Sequence, residues 1–417
     1  MKIVFLCLVL FLLLLTKVFA QPKGIHLSWN GAKKVNTANT MSITWMNDHA
    51  GNDVVVYGTD SLHLDKKVRA EEKYIADLTT NINKVTIRKL SPATYYYFKV
   101  GSDESGWSKV YQFRTGPGKG DQSKIIIGLW SDTQNNGGNY NFEQTDSIVK
   151  QLGQHAFYFT IHNGDIVENG SIVKNWKGYF NVGEPINANF PLMSVTGNHD
   201  VVNDTTSPIF QRPFPIFYEL MNLPGNQLNY SYDYGNIHFI AINSGWAEGA
   251  AKVGRVLFNE GSEEYKWLEN DLKNARQNKS INWIILYSHY PVYSFGFSHI
   301  PNWQQHIKPL VDKYEVDLYI AGHRHVYERH KAIRGSEVFE QADTHVYSKP
   351  KGTVFITNGS CGGSLTGTGG QNQPDMILTP NEKIYTYAVM TIEGKCLHYE
   401  VYDKHGSKVD YFTINKN

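Results

Sequence analysis

The hydrophobic pattern of this 417-residue chain changes period once, at the turn-rich run Gly116-Pro117-Gly118-Lys119-Gly120-Asp121. Before it lie short alternating segments at 26–29, 41–46, 54–57, 84–88, 95–100 and 111–114, separated by turn residues. Such spacing predicts an all-β sandwich of roughly immunoglobulin size. After it come continuous apolar runs at 124–130, 156–161, 191–195, 237–242, 283–287, 316–320 and 354–357, with helical stretches between some of them. Strands apolar on both faces belong to a sheet covered on both sides, so this part reads as α/β. The length exceeds what one core usually supports, and the expectation is two domains, 21–117 and 118–417. Ser262 as a cap, Glu263 and Glu264 at the positive end, and Tyr265, Leu268 and Leu272 on one face predict one core-packing helix.

Lys2, an apolar run over 3–15 and Val18-Phe19-Ala20 before Gln21 form a signal peptide over 1–20, too short for a membrane span. The expected location is therefore extracellular or the lumen of an acidic endolysosomal compartment, with no membrane span. Five N-x-S/T sequons, at Asn169, Asn203, Asn229, Asn278 and Asn358, are candidate glycosylation sites on such a route. Lys and Arg total 40 against 39 Asp and Glu with no basic block, so no nucleic-acid partner is expected. Cys361 and Cys396 are the only cysteines beyond the signal peptide; an oxidising compartment permits a bond between them without requiring one.

Five strand ends finish in ligand-type residues: Ser131-Asp132-Thr133-Gln134, Asn163-Gly164-Asp165, Gly197-Asn198-His199-Asp200, Ser288-His289 and Gly322-His323-Arg324-His325. Singly, each has an ordinary reading, since an Asp after a strand is usually a turn residue and an isolated His is usually packed and hydrogen-bonded. Jointly they mean more, because ligands of open α/β sheets bind beyond the carboxyl ends of strands. Oxygen and imidazole donors without thiolates suit Zn, Fe or Mn, and they are too many for one tetrahedral site, so two metal ions are implied.

This ordered set is similar to that of the calcineurin-like metallophosphoesterases, and with a preceding β-sandwich the mature chain resembles the purple acid phosphatases. Gly24 to Leu27, Tyr232-Asp233-Tyr234-Gly235-Asn236 and Tyr265 to Leu272 add to the likeness, and Leu90 to Tyr96 resembles the tyrosine corner of fibronectin type III domains, with Tyr96 as corner and Trp45 in the core. The resemblance implies a four-layer metallophosphoesterase sandwich behind a fibronectin type III-like domain. It implies that Asp132 and His325 bind one metal, that Asn198, His289 and His323 bind the other, and that Asp165 bridges them. His199, paired with Asp200, would lie over the substrate phosphate, and His299 would be a second substrate-facing histidine. Family members often form homodimers.

Two positions depart from the family. Its metal-binding tyrosine, three residues after the bridging Asp, is Glu168 here, so the purple ferric-tyrosinate colour is not expected. Its Gly two residues after the first Asp is Gln134, whose carbonyl oxygen could join the Asp132 metal. The expected activity is hydrolysis of small phosphate monoesters by a metal-bound hydroxide, as an acid phosphatase. A phosphodiesterase or nucleotide-processing enzyme with the same centre stays open, as does a noncatalytic extracellular binding protein.

Overall fold

The computed structural model describes residues 21–31, 35–135, 141–201, 214–247, 250, 256–294, 303–339, 341, 343–366, 376–378 and 383–417. The signal peptide expected over 1–20, Asn203 and His299 lie outside the described residues.

Two antiparallel sheets make the N-terminal sandwich. One orders Lys23–Ser28, Thr40–Asn47, Thr80–Arg88 and Glu71–Ile75; the other runs Lys66–Arg69, Val54–Gly58, Tyr95–Ser102 and Gly106–Trp107, with Tyr111–Arg114 also paired to Tyr95–Ser102. Alternate residues fill the space between them, as in Tyr96, Phe98 and Val100 against Trp45, Ile43 and Val85. The corner forms as expected, with the Ser91 amide donating to the Tyr96 hydroxyl at 3.0 Å. Trp45 is fully buried and its indole N–H donates to Asp53 at 2.9 Å. Lys66–Arg69 and Glu71–Ile75 escape sequence reading because their side chains are mostly exposed and polar, leaving no apolar alternation to detect.

Behind the sandwich stand two seven-stranded mixed sheets. The first orders Leu192–Ser194, Phe159–His162, Ile125–Trp130, Thr386–Glu393, Cys396–Asp403, Lys408–Asn415 and Val346–Ser348. The second orders Tyr230–Tyr234, Ile237–Ile242, Trp283–Ser288, Leu318–Ala321, Val354–Asn358, Tyr327–His330 and Met376–Leu378. Their inner faces share one core, seen where Phe159 meets Phe239 edge to face at 5.4 Å. Helices Glu143–Leu152 and Val173–Asn187 pack beside the first sheet, while Glu263–Gln277 and Trp303–Lys313 pack beside the second through Leu268, Leu272, Ile307 and Leu310. The result is the four-layer α/β arrangement. Ser262 caps its helix as expected, accepting from the Tyr265 amide at 3.2 Å. No helix among the described residues is long and apolar enough to cross a membrane.

Strands Lys23–Ser28 and Thr80–Arg88 dock on this body. The Ile25 amide donates to Glu184 at 3.3 Å, the Ser28 hydroxyl to the Asn222 carbonyl at 2.7 Å, and Lys84 to the Met221 carbonyl at 2.6 Å. Cys361 and Cys396 are free thiols, Cys361 deeply buried with its S–H donating to the Thr386 carbonyl at 3.0 Å.

His238 ties the second sheet to helix Glu263–Gln277, with Nδ1 at 2.7 Å from Asp233 and Nε2 at 2.9 Å from Asp271. Burial opposes its charge, but the two carboxylates outweigh burial and raise its pKa from 6.5 to about 9. A group raised in the folded state contributes stability that is fully present below the unfolded value and lost as pH rises through the folded one. The melting-temperature gap between wild type and His238→Ala is thus expected to be widest below pH 6.5 and to shrink toward pH 9. A gap that stays constant across that interval contradicts this reading.

Candidate metal centre

Parallel pairing aligns the ends of Ile125–Trp130, Phe159–His162 and Leu192–Ser194 in one sheet, and of Ile237–Ile242, Trp283–Ser288 and Leu318–Ala321 in the other. The two rows of carboxyl ends are tied together by Asn163, whose amide donates across the gap to the carbonyls of Ser288 at 3.2 Å and Ile320 at 3.1 Å. Sequence reading names Asn163 only as the head of the Asn163-Gly164-Asp165 run and gives it no role of its own. Asp132, Asp165 and His323 take φ values of +54°, +50° and +67°, a left-handed conformation that costs non-glycine residues free energy of order 1 kcal/mol or more. Three residues of one cluster held this way mark a built site.

The seven expected ligands come together. Asp165, His289 and His323 present ligand atoms within 4.8 Å of one another, and so do Asp132, Asp165 and His325, with Asp165 common to both groups. His289 Nε2 lies 3.0 Å from Asn198 Oδ1, 3.3 Å from Asp165 Oδ2 and 3.2 Å from His323 Nδ1. His325 Nε2 lies 3.5 Å from Asp132 Oδ1. His289 gives its Nδ1 proton to the Asn163 carbonyl at 2.8 Å, and His325 gives its own to the Ser364 carbonyl at 2.7 Å. Each therefore turns Nε2 to the centre. His289 Nε2, Asn198 Oδ1 and Asp165 Oδ2 crowd together there, so that either a proton on Nε2 or a cation must stand among them. A cation fits that donor set.

Charge balance points the same way. Asp132 and Asp165 are both buried. Burial raises Asp132, whereas at Asp165 the effect of burial is outweighed by the neighbouring His289, His199 and His323, which hold it below the usual carboxylate range. Burial works against charge on His289, yet Asp165 and Asp132 raise it to about 9. The cluster demands positive charge.

Gln134 reaches the cluster through its amide end: Nε2 lies 3.3 Å from Asp165 Oδ2 and 3.3 Å from His325 Nε2, and Oε1 is buried with no hydrogen-bond partner among the described residues. Turning the amide by 180° exchanges the two atoms and gives the centre an oxygen donor.

The expected pairing of His199 with Asp200 is replaced by another. Asp200 is fully buried and its carboxylate accepts from the backbone amides of Gly197 at 2.8 Å and Val167 at 3.1 Å, so it braces the loop. His199 instead donates Nδ1–H to the Glu168 carbonyl at 2.9 Å, and the Glu168 carboxylate stands 3.6 Å from the same nitrogen. Glu168 thus faces the histidine at the site's edge. The His199 backbone amide donates to Asp165 Oδ1 at 2.8 Å, which anchors the histidine beside the cluster.

Residues 22–115 match the family described as "Purple acid Phosphatase, N-terminal domain", and residues 126–327 match "Calcineurin-like phosphoesterase". The chain belongs to the purple acid phosphatase branch of the calcineurin-like metallophosphoesterases. This phosphoesterase is 28% identical to mouse "Acid phosphatase type 7" over 367 residues, covering 82% of this chain and 78% of the relative. It is 26% identical to Arabidopsis thaliana "Probable purple acid phosphatase 20" over 361 residues, covering 83% and 75%. Among solved structures, the purple acid phosphatase PPD1 of yellow lupin superposes with a TM-score of 0.80 at 20% identity, over 95% of this chain and 75% of that one, which establishes a shared fold. The phosphoesterase is a metal-dependent hydrolase of phosphoric esters.

A Cβ added at Gly363 would lie 2.4 Å from His325 Cε1 and 2.8 Å from its Nδ1. Gly363→Ala is expected to fold, to displace the His325 ring and to weaken metal binding by about tenfold to a hundredfold, the usual effect of disturbing a ligand's support. Unchanged metal affinity of the alanine variant, measured by calorimetric titration, contradicts the placement of His325 at the centre.

Proposed function

We propose that this chain is a secreted acid phosphatase that hydrolyses small phosphate monoesters at a dinuclear metal centre. Asp132, His325 and Gln134 would hold one ion, Asn198, His289 and His323 the other, with Asp165 between them. The observation that carries this reading is the sharing of one buried carboxylate, Asp165, by two separate ligand groups. Iron, zinc and manganese all suit these oxygen and imidazole donors. Bound, the paired cations supply Lewis acidity, offsetting the ester's negative charge and making water a better nucleophile near neutral pH.

The chain's own residues do the rest. With Nδ1–H committed to the Glu168 carbonyl, His199 has Nε2 available to carry a proton to the leaving oxygen. Burial lowers the basicity of His199, but Asp165 and the Glu168 carbonyl outweigh burial and favour its protonated form. His299 keeps its proposed place as a second substrate-facing histidine. Asp200 acts through the backbone and holds the loop that carries Asn198.

Residues 21–117 and 118–417 are taken as two units, since the Gly116 amide bonds Thr37 at 2.8 Å while the Gly120 amide bonds Gly235 at 2.9 Å. Secretion rests on the apolar run over 3–15 and its flanks. Asn169 is exposed and Asn278 partly so, which favours glycosylation there. Asn358 is 2% exposed and its oxygen accepts from Thr386 at 2.9 Å, which disfavours glycosylation there.

Asp165→Asn and His289→Ala are each expected to lower kcat by about a thousandfold or more, since several kcal/mol of charge stabilisation is lost and each 1.36 kcal/mol is tenfold. The assay compares p-nitrophenyl phosphate with bis(p-nitrophenyl) phosphate on protein loaded with iron, zinc or manganese. Monoester turnover should exceed diester turnover. Faster diester turnover identifies a phosphodiesterase, and no turnover of either in any metal leaves a binding protein.

A further inference from the structure

His162 ends the Phe159–His162 strand, is fully buried, and belongs to neither ligand group. Its ring touches both of the first two ligand loops. The Gly164 amide donates to His162 Nδ1 at 3.2 Å, and His162 Nε2 lies 3.0 Å from the Thr133 hydroxyl oxygen. That hydroxyl in turn lies 2.9 Å from the Ile166 carbonyl. Every proton in this chain of bonds is fixed by elimination. The Ile166 carbonyl can only accept, so Thr133 spends its one hydrogen there. Thr133 must then accept from His162, which places the ring proton on Nε2. Nδ1 is left with a lone pair, and the Gly164 amide supplies the hydrogen it needs.

The path begins at the amide of the residue before Asp165 and ends at the carbonyl of the residue after it. It therefore grips both peptide flanks of the carboxylate that the two ligand groups share, a residue held at φ +50°. It passes through Thr133, which stands between Asp132 and Gln134 and whose own carbonyl accepts from Thr145 at 2.9 Å. The backbone bonds nearest this corner are Asp132 N to Gly164 O at 3.0 Å, Gly363 N to Asp132 O at 3.0 Å and Asn163 N to Trp130 O at 3.2 Å, and none of them reaches Thr133, the Gly164 amide or the Ile166 carbonyl.

We propose that His162 and Thr133 form a positioning relay that locks Asp132, Gln134 and Asp165 into metal-binding register. The relay needs a ring with a donor at one nitrogen and an acceptor at the other, which a neutral imidazole provides and a protonated one does not. Burial keeps His162 neutral by lowering its pKa to about 3, so the relay persists in acid. The ring is also wedged edge-on between Trp130 at 5.1 Å and Tyr179 at 5.8 Å, which fixes its plane. Neither residue touches the substrate; both act through the ligands.

This inference rests on the proposed metal centre, and its test reads metal binding apart from turnover. Full-length wild type, His162→Phe, Thr133→Val, Thr133→Ser and the Phe/Val double variant are titrated with Zn or Mn by calorimetry, and melting is recorded without metal. Phe keeps the wedged ring and Val keeps the threonine shape, so each removes mainly hydrogen bonds. Each single loss should weaken binding about tenfold to a hundredfold. The double variant should be little weaker than the weaker single, because one path is cut twice. Thr133→Ser, which keeps the hydroxyl, should bind as wild type does. Unchanged affinity in Thr133→Val, or losses that multiply in the double variant, overturns the relay. Where His162→Phe fails to fold, the Val and Ser pair at position 133 decides alone. Failure of wild type itself to bind a pair of ions would instead sink the proposed centre, and the relay with it.

Discussion

Two carboxylates with no access to water, Asp132 and Asp165, set the terms for the rest of this molecule. An isolated buried carboxylate is too costly to keep ionised, so positive charge must be close at hand. The fold meets that demand by bringing imidazoles from the strand ends of the second sheet to within 3.5 Å of these carboxylates at the strand ends of the first. His289 and His325 each surrender Nδ1–H to a backbone carbonyl, which fixes the nitrogen that faces inward. Positive charge at this centre, as protons or as metal ions, offsets the two buried carboxylates.

The architecture follows from the need to deliver side chains from five strand ends to one point. Parallel strands place their carboxyl ends on one edge, and two such sheets stacked face to face oppose their edges. Asn163 closes the gap by bonding to two carbonyls of the second sheet while its own carbonyl orients His289. Tight turns with left-handed φ at Asp132, Asp165 and His323 point the ligands back over the strand ends. The cost of those turns is carried by hydrogen bonds around them, such as His323 N to Asp132 at 2.9 Å and His199 N to Asp165 at 2.8 Å.

Much of this is legible in the residues before any coordinates. Apolar runs ending in Asp, Asn or His are local signals, and strand 237–242 is found to the residue. The change of period at Gly116 separates an alternating β-sandwich from strands buried on both faces, because each pattern records how many faces meet solvent. What sequence leaves hidden is the partner of each polar group. Asp200 reads as a companion of His199 through adjacency, yet it serves two backbone amides instead. Glu168 reads only as the residue standing where the family has its metal-binding tyrosine, and it turns out to face His199. Polar edge strands such as Glu71–Ile75 escape because no apolar alternation marks them. The hairpin of Thr386–Glu393 and Cys396–Asp403, which joins the first sheet beside Ile125–Trp130, comes from the far end of the chain, where local pattern carries no hint of its neighbour.

The central claim is that two ions share Asp165. Anomalous diffraction from crystals grown with manganese or zinc tests it most directly. Two peaks about 3.5–4 Å apart are expected, with the Asp165 carboxylate between them. A single peak, or two peaks of which only one touches Asp165, would contradict it.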